Sequence, residues 1–219
     1  IALKESVAKL GVGHKYFPID VTHSDAANQA MLAAINNFGG LDILISNAGA
    51  AHAGPMLGIS NEELRNAFEL NFFSHYSFST EAAKILKDQN RGGQILFNIS
   101  KQAVNPGKNF GAYGLPKATT FFLMRQLALE LGSDGIRVNG INADRIRSGL
   151  LTDDFISSRA KSRGVSESEY MAGNLLNKEV TAEHVADAFT ALACAESTTG
   201  HVMTVDGGNI CLLYTSDAA

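Results

Sequence analysis

Short, almost uninterrupted apolar runs take turns with long amphipathic stretches, and this alternation constrains the chain more than any other feature. Residues 41–46, 94–100, 136–142 and 202–205 are short and largely apolar. They read as parallel strands, the first two apolar enough to be covered on both faces. An earlier run, residues 15–19, reads as a strand followed by a turn through Asp20, Val21 and Thr22. Ser24 then caps a helix in which Ala27, Met31, Ala34, Ile35 and Phe38 recur at three- and four-residue steps until Gly39-Gly40 stops it. Ser60 and Glu63 form a capping box for a helix to about Lys87, with Leu64, Ala67, Phe68, Asn71, Phe72 and Leu86 as inward candidates. Further helices run from near Tyr113 to Leu131 and onward from a cap at Thr181. Such an order predicts an α/β fold with right-handed crossovers and one doubly wound parallel sheet, whose ligands bind outside the carboxyl ends of its strands.

The 219 residues suit one domain, and 45% hydrophobic against 18% charged excludes a mainly disordered chain. A net charge of −4 without a run of Lys or Arg argues against nucleic acid, and no apolar run of about 18 residues is present to cross a membrane. Cys194, Cys211 and six scattered histidines lack metal-ligand spacing, so no metal site or disulfide framework is expected and a reducing cytoplasm is the expected setting. Residues 1–10 resemble the middle of a helix, which predicts a chain that starts inside a longer protein. Residues 212–219 continue no pattern, so the domain is expected to span 1–211.

Tyr113 and Lys117 carry the sharpest chemical signal. Four residues apart on a helix, phenol and ammonium share one face, provided that Pro116 lies in the first turn. A cation at about 6 Å stabilises a phenolate by roughly 3 kcal/mol at an effective dielectric of 20, or about two pKa units. The pair therefore suits proton transfer beside a hydride-transfer centre, the positive nicotinamide completing the shift. Asn71, amid apolar neighbours, requires a partner such as water or backbone for its amide. The small-residue turn Asn47-Ala48-Gly49 at a strand's carboxyl end allows close approach to the backbone.

With Ser100 thirteen residues before Tyr113, these motifs together resemble the short-chain dehydrogenase/reductase family. The resemblance runs through Asp20-Val21, Ser46-Asn-Ala-Gly49 in place of the family's NNAG, Asn71, Ser100, Tyr113 and Lys117. It continues through Ile136-Arg-Val-Asn139 and Thr204-Val-Asp-Gly-Gly208. It implies a Rossmann-like fold lacking its first βαβ unit, and NAD or NADP as cofactor, with NAD favoured by subfamily resemblance alone. By the same resemblance Tyr113 is the acid/base, Lys117 lowers its pKa and holds the nicotinamide ribose, Ser100 polarises the substrate oxygen and Asn71 holds a relay water. Asp20, Val21, Asn47, Ala48 and Gly49 would complete the cofactor site, Asp20 toward the adenine. A homodimer or homotetramer is implied, with Phe72, Phe73, Tyr76 and Phe78 shared between core and subunit contact.

The sequence also departs from the family pattern. The glycine-rich pyrophosphate turn and the residue choosing between NAD and NADP do not occur. Ile99-Ser100-Lys101 replaces the usual Ile-Ser-Ser, so Ser100 or Lys101 fills the reactive position according to strand register; the spacing favours Ser100. The usual Pro-Gly gives way to a segment holding Arg145 and Arg147, either of which would face an anionic or hydroxylated substrate, or else pair with Asp153 or Asp154 in a solvated loop. Residues 148–178 read as a long polar insertion able to close over substrate. Segments 105–107, 143–150 and 170–176 resemble the dehydrogenase half of bifunctional aldolase/short-chain dehydrogenase proteins of deoxysugar breakdown. This implies a lactaldehyde-like substrate and an upstream aldolase domain. The expected activity is hydride transfer between a nicotinamide cofactor and a small alcohol or hydroxyaldehyde in a longer protein, these 219 residues alone being expected to be inactive. The alternatives are a catalytically silent dinucleotide-binding or scaffolding module and a sugar-nucleotide epimerase or dehydratase.

Overall fold

The computed structural model describes residues 2–51, 53–149 and 151–210. The expected domain end and tail at 211–219, with Cys211, and His52 lie outside them. Eight α-helices occur among the described residues: α1 (Ala2–Leu10), α2 (Ala26–Phe38), α3 (Asn61–Phe68), α4 (Ser74–Gln89), α5 (Gly111–Leu131), α6 (Asp153–Arg163), α7 (Glu167–Met171) and α8 (Ala182–Cys194). Four parallel strands, β1 (Ile43–Ser46), β2 (Gly93–Asn98), β3 (Ile136–Ala143) and β4 (Val202–Val205), lie side by side in chain order. Register sets Leu44, Ile95 and Val138 in one row and Ile45, Leu96 and Asn139 in the next. Successive rows point to opposite faces, so both faces need cover. Ile95, Phe97 and Val138 pack with Leu86 of α4 and Met124, Leu127 and Leu131 of α5. Leu96 and Ile141 pack with Ala188 and Leu192 of α8 on the other side. This is the doubly wound α/β arrangement that the alternating pattern predicts.

Several local expectations change. Residues 15–19 form no strand, because no neighbouring strand offers them a ladder. On the face opposite α4, Ile43 and Ile45 of β1 are 42% and 51% exposed, so this apolar strand is covered on one face only. Asp25, not Ser24, is the N-cap of α2, where it makes no capping bond and instead accepts from Gln29. The helix buries Ala27 and Met31 while Ile35 and Phe38 stay exposed; Gly39 ends it in a left-handed conformation as expected. The capping box at Ser60 forms, Glu63 N donating to Ser60 Oγ and Ser60 N to Glu63 Oε2. The helix it opens is not continuous: a π-turn at Glu69–Phe73 separates α3 from α4. Pro116 lies in the second turn of α5 rather than the first, and the helix passes through it. Residues 148–178 are not an open loop, since α6 and α7 share a small core of Leu151, Ile156, Ala160, Tyr170 and Met171. Among the described residues no helix is long and apolar enough to cross a membrane.

Candidate active site

The carboxyl ends of β1 and β2 and the first turns of α5 bring Ser100, Tyr113, Lys117 and Asn71 together. Ser100 follows β2 at φ 149° and ψ 150°, a backbone region that L side chains rarely adopt. Its Oγ accepts from Gln102 N at 3.2 Å, capping the one-turn helix Lys101–Ala103, and its hydroxyl lies beside the Tyr113 phenol, whose pKa it lowers. Backbone outliers of this kind persist where surrounding contacts over-determine them, commonly at functional sites. Lys101 turns elsewhere, its Nζ donating to Asp144 Oδ2 at 3.2 Å and to Asn209 Oδ1 at 3.0 Å. Ser100 is thus the residue set against Tyr113.

One turn along α5 from Tyr113, the Lys117 ammonium lies 5.8 Å from the Tyr113 ring centre and donates to the Asn98 carbonyl at 2.9 Å. Lys117 is only 2% exposed, and burial pulls its pKa down to about 8. Burial pushes the Tyr113 phenol up, the Ser100 hydrogen bond opposing this with a smaller effect. Lysine at this distance therefore does not by itself bring the phenol toward neutrality, as the charge argument had implied, because removal from water outweighs it. In the free protein Tyr113 is a protonated donor.

The π-turn carries Asn71 into the site. Its Nδ2 donates to the carbonyls of Ala50 at 2.9 Å and Ala67 at 3.1 Å, Ala50 N donates to its Oδ1 at 3.3 Å, and Thr120 Oγ1 donates to its main-chain carbonyl at 2.8 Å. The amide that composition alone left needing a partner is satisfied by backbone and pins the turn after β1 to the helix. That turn is tight at Gly49, where a Cβ would fall 2.8 Å from Asn71 Oδ1 and 3.5 Å from Lys117 Nζ. Asn47 Oδ1 accepts from Asn98 Nδ2 at 2.6 Å, and residues 47–50 present exposed backbone beside the buried ammonium.

His75, one turn beyond Asn71, is one of the six scattered histidines to which the sequence assigns no role. It is 1% exposed, with Nε2 3.4 Å from Lys117 Nζ and Nδ1 2.6 Å from Ser46 Oγ. Burial, and secondarily the Lys117 charge, push its pKa down to about 3, so it is a neutral acceptor for the ammonium. The four-residue step from Asn71 was the only local clue.

The remaining candidates lie apart from this group. The Asp20 carboxylate closes a turn on Thr22, whose backbone and hydroxyl hold it below the usual carboxylate range, and no hydrogen bond or ion pair joins Asp20 or Val21 to the site. Arg147 pairs with Glu179 and Asp153, each at 2.8 Å, in an exposed position. Arg145 lines a pocket of about 370 Å³ beside Ser100 and Tyr113 but is tied to Asp144 at 3.0 Å and to the carbonyls of Tyr170 and Gly173. The far wall of that pocket is α6, through Phe155, Arg159 and Arg163.

Residues 2–209 match the family model described as enoyl-(acyl carrier protein) reductase. The uncharacterized oxidoreductase YuxG of Bacillus subtilis (strain 168) is 35% identical over 198 residues, which are 87% of this chain and 29% of that protein. The 7alpha-hydroxysteroid dehydrogenase of Escherichia coli (strain K12) is 31% identical over 193 residues, 87% of this chain and 72% of that protein. The crystal structure of acetoin dehydrogenase from Enterobacter cloacae superposes with a TM-score of 0.75 at 26% identity, covering 88% of this chain and 73% of that one. With the Ser, Tyr and Lys set on the doubly wound sheet and a family match over nearly its whole length, the chain belongs to the short-chain dehydrogenase/reductase family of oxidoreductases.

Proposed function

We propose that the chain moves hydride between NAD or NADP and a small alcohol or hydroxyaldehyde, with Tyr113 as acid/base. The observation that carries this reading is the convergence of the buried Tyr113 phenol, the Ser100 hydroxyl and the buried Lys117 ammonium at one strand end. The exposed backbone of residues 47–50, which the lack of a Cβ at Gly49 lets lie close to Asn71 and the Lys117 ammonium, suits the nicotinamide and ribose end of such a cofactor. When bound, the nicotinamide supplies or accepts the hydride. Lys117 Nζ, anchored by Asn98 O and the neutral His75 ring, is positioned to hold ribose hydroxyls and favour phenolate at Tyr113. Ser100 is positioned to donate to the substrate oxygen, and Tyr113 to pass its proton to that oxygen or withdraw it. Asn71 maintains the geometry by joining the turn after β1 to the helix.

The acetoin dehydrogenase likeness and the small pocket support a short hydroxy or carbonyl substrate. A lactaldehyde-like substrate of deoxysugar breakdown, with an aldolase domain joined to this chain in a cytoplasmic protein, is the finer form of the proposal and rests on the resembling segments named above. Exposed Phe73, Tyr76, Phe122 and Leu129 on α4, α5 and the π-turn support assembly with a second copy. Reduced-cofactor absorbance, followed on a protein that also carries a glycine-rich pyrophosphate turn, with NAD and NADP against polyols, hydroxyaldehydes and nucleotide sugars, tests the reading. Turnover of a small alcohol or hydroxyaldehyde is expected. Turnover of nucleotide sugars alone would point to the epimerase or dehydratase branch, and inertness with bound cofactor to a silent module.

A further inference from the structure

We infer that the substrate carries a phosphate group, held by Arg159 and Arg163 of α6 with Lys108 of the same pocket. This rests on the proposed hydride-transfer reading and departs from its finer form, since lactaldehyde itself is neutral, by placing a phosphate on the small hydroxy or carbonyl substrate. Five cations line the pocket beside Ser100 and Tyr113, and Asp144 is the one carboxylate among its lining residues. Asp144 takes up Lys101 and Arg145. Among the described residues no carboxylate lies within 4 Å of Lys108, Arg159 or Arg163.

Arg159 is half-buried in the pocket wall, where its Nε is enclosed by protein and its terminal N–H groups are the part open to a ligand. Guanidinium N–H groups without a carboxylate partner are met best by a charged oxygen acceptor. The Arg159 guanidinium stacks 5.6 Å from the Phe110 ring centre, and that of Arg163 stacks 5.1 Å from the Tyr170 ring centre. Stacking occupies the faces of these planar groups and leaves their N–H edges for an in-plane acceptor. Three uncompensated positive charges exceed what one carboxylate balances and suit a phosphate dianion. The site is also separate from Arg145 and Arg147, whose guanidinium groups are already engaged.

Calorimetric titration of the protein with 1,2-propanediol 1-phosphate, 1,2-propanediol and inorganic phosphate tests this without turnover. The phosphate ester is expected to bind about ten-fold or more tighter than the neutral diol, consistent with one or two charge-assisted hydrogen bonds. The double change Arg159→Gln, Arg163→Gln should bring that preference to within about two-fold of unity, while Arg159→Lys, Arg163→Lys retains most of it. Equal binding of ester and diol by the unaltered protein overturns the proposal. So does a preference that survives the glutamine pair, or inorganic phosphate binding as tightly as the ester and indifferent to both arginines. Turnover of propanediol without a phosphate preference would refute the anion site and leave hydride transfer standing. A preserved preference without turnover of either compound would do the reverse.

Discussion

Replacing Lys117 with Met removes a buried charge while keeping the side chain's length, and the consequence is best read as a dependence on pH. The ammonium is 2% exposed and its pKa falls from 10.5 to about 8 through burial. Between pH 8 and 10.5 the unfolded chain holds a proton at this position that the folded chain has released. Stability therefore rises with pH across that window, by roughly 3 kcal/mol at about 1.36 kcal/mol per pKa unit. Below pH 8 the full penalty of burying the charge is present. Lys117→Met lacks the rise, so the difference in unfolding free energy, unaltered protein minus variant, should grow by roughly 3 kcal/mol from pH 7 toward pH 10.5. Loss of the bond to Asn98 O shifts that difference by a similar amount at every pH and leaves its slope intact. Urea unfolding followed by circular dichroism at pH 7, 8, 9 and 10 measures it, other groups cancelling between the two proteins. A difference that stays flat to within about 0.5 kcal/mol would refute the claim that burial depresses this lysine.

His75→Phe should alter the acid limb instead. With the folded pKa near 3 against 6.5 unfolded, the unaltered protein loses on the order of 5 kcal/mol as pH falls between those values and the variant does not; parallel acid-unfolding curves would sink this. Ser60→Ala removes the capping box of α3 and should destabilise by about 1 kcal/mol in urea unfolding, with activity per folded molecule retained. A loss below about 0.3 kcal/mol would mean that the cap contributes little beyond solvent.

What was legible in the sequence was local. The apolar runs of β2, β3 and β4, the capping box at Ser60 and the Tyr113 to Lys117 step appear where their residue types and spacings place them. The rest depends on distant partners. Residues 15–19 have strand composition, but a strand exists only beside another, and none lies there. The π-turn carries one extra residue in a helix whose periodicity looks unbroken, yet it aims Asn71 at the turn after β1. His75 acquires meaning only from Ser46, 29 residues before it, and Lys117, 42 residues after. Segment 148–178 seemed an open loop because its core rests on few apolar residues, although Thr152 and the Ser166 to Glu169 capping box announce α6 and α7. Arg159 and Arg163 join the pocket wall only through the fold of that segment.

The most direct test of the central claim is steady-state turnover by Tyr113→Phe on the best alcohol found in the screen, paired with calorimetric titration of the cofactor. The variant removes only the phenolic hydroxyl, the proton donor that lies beside Ser100. The account predicts a fall in kcat of about 10² to 10⁴, the usual contribution of positioned acid-base catalysis, with cofactor affinity nearly unchanged. Retention of more than about a tenth of the original rate would contradict it, since no positioned acid/base is dispensable to that degree.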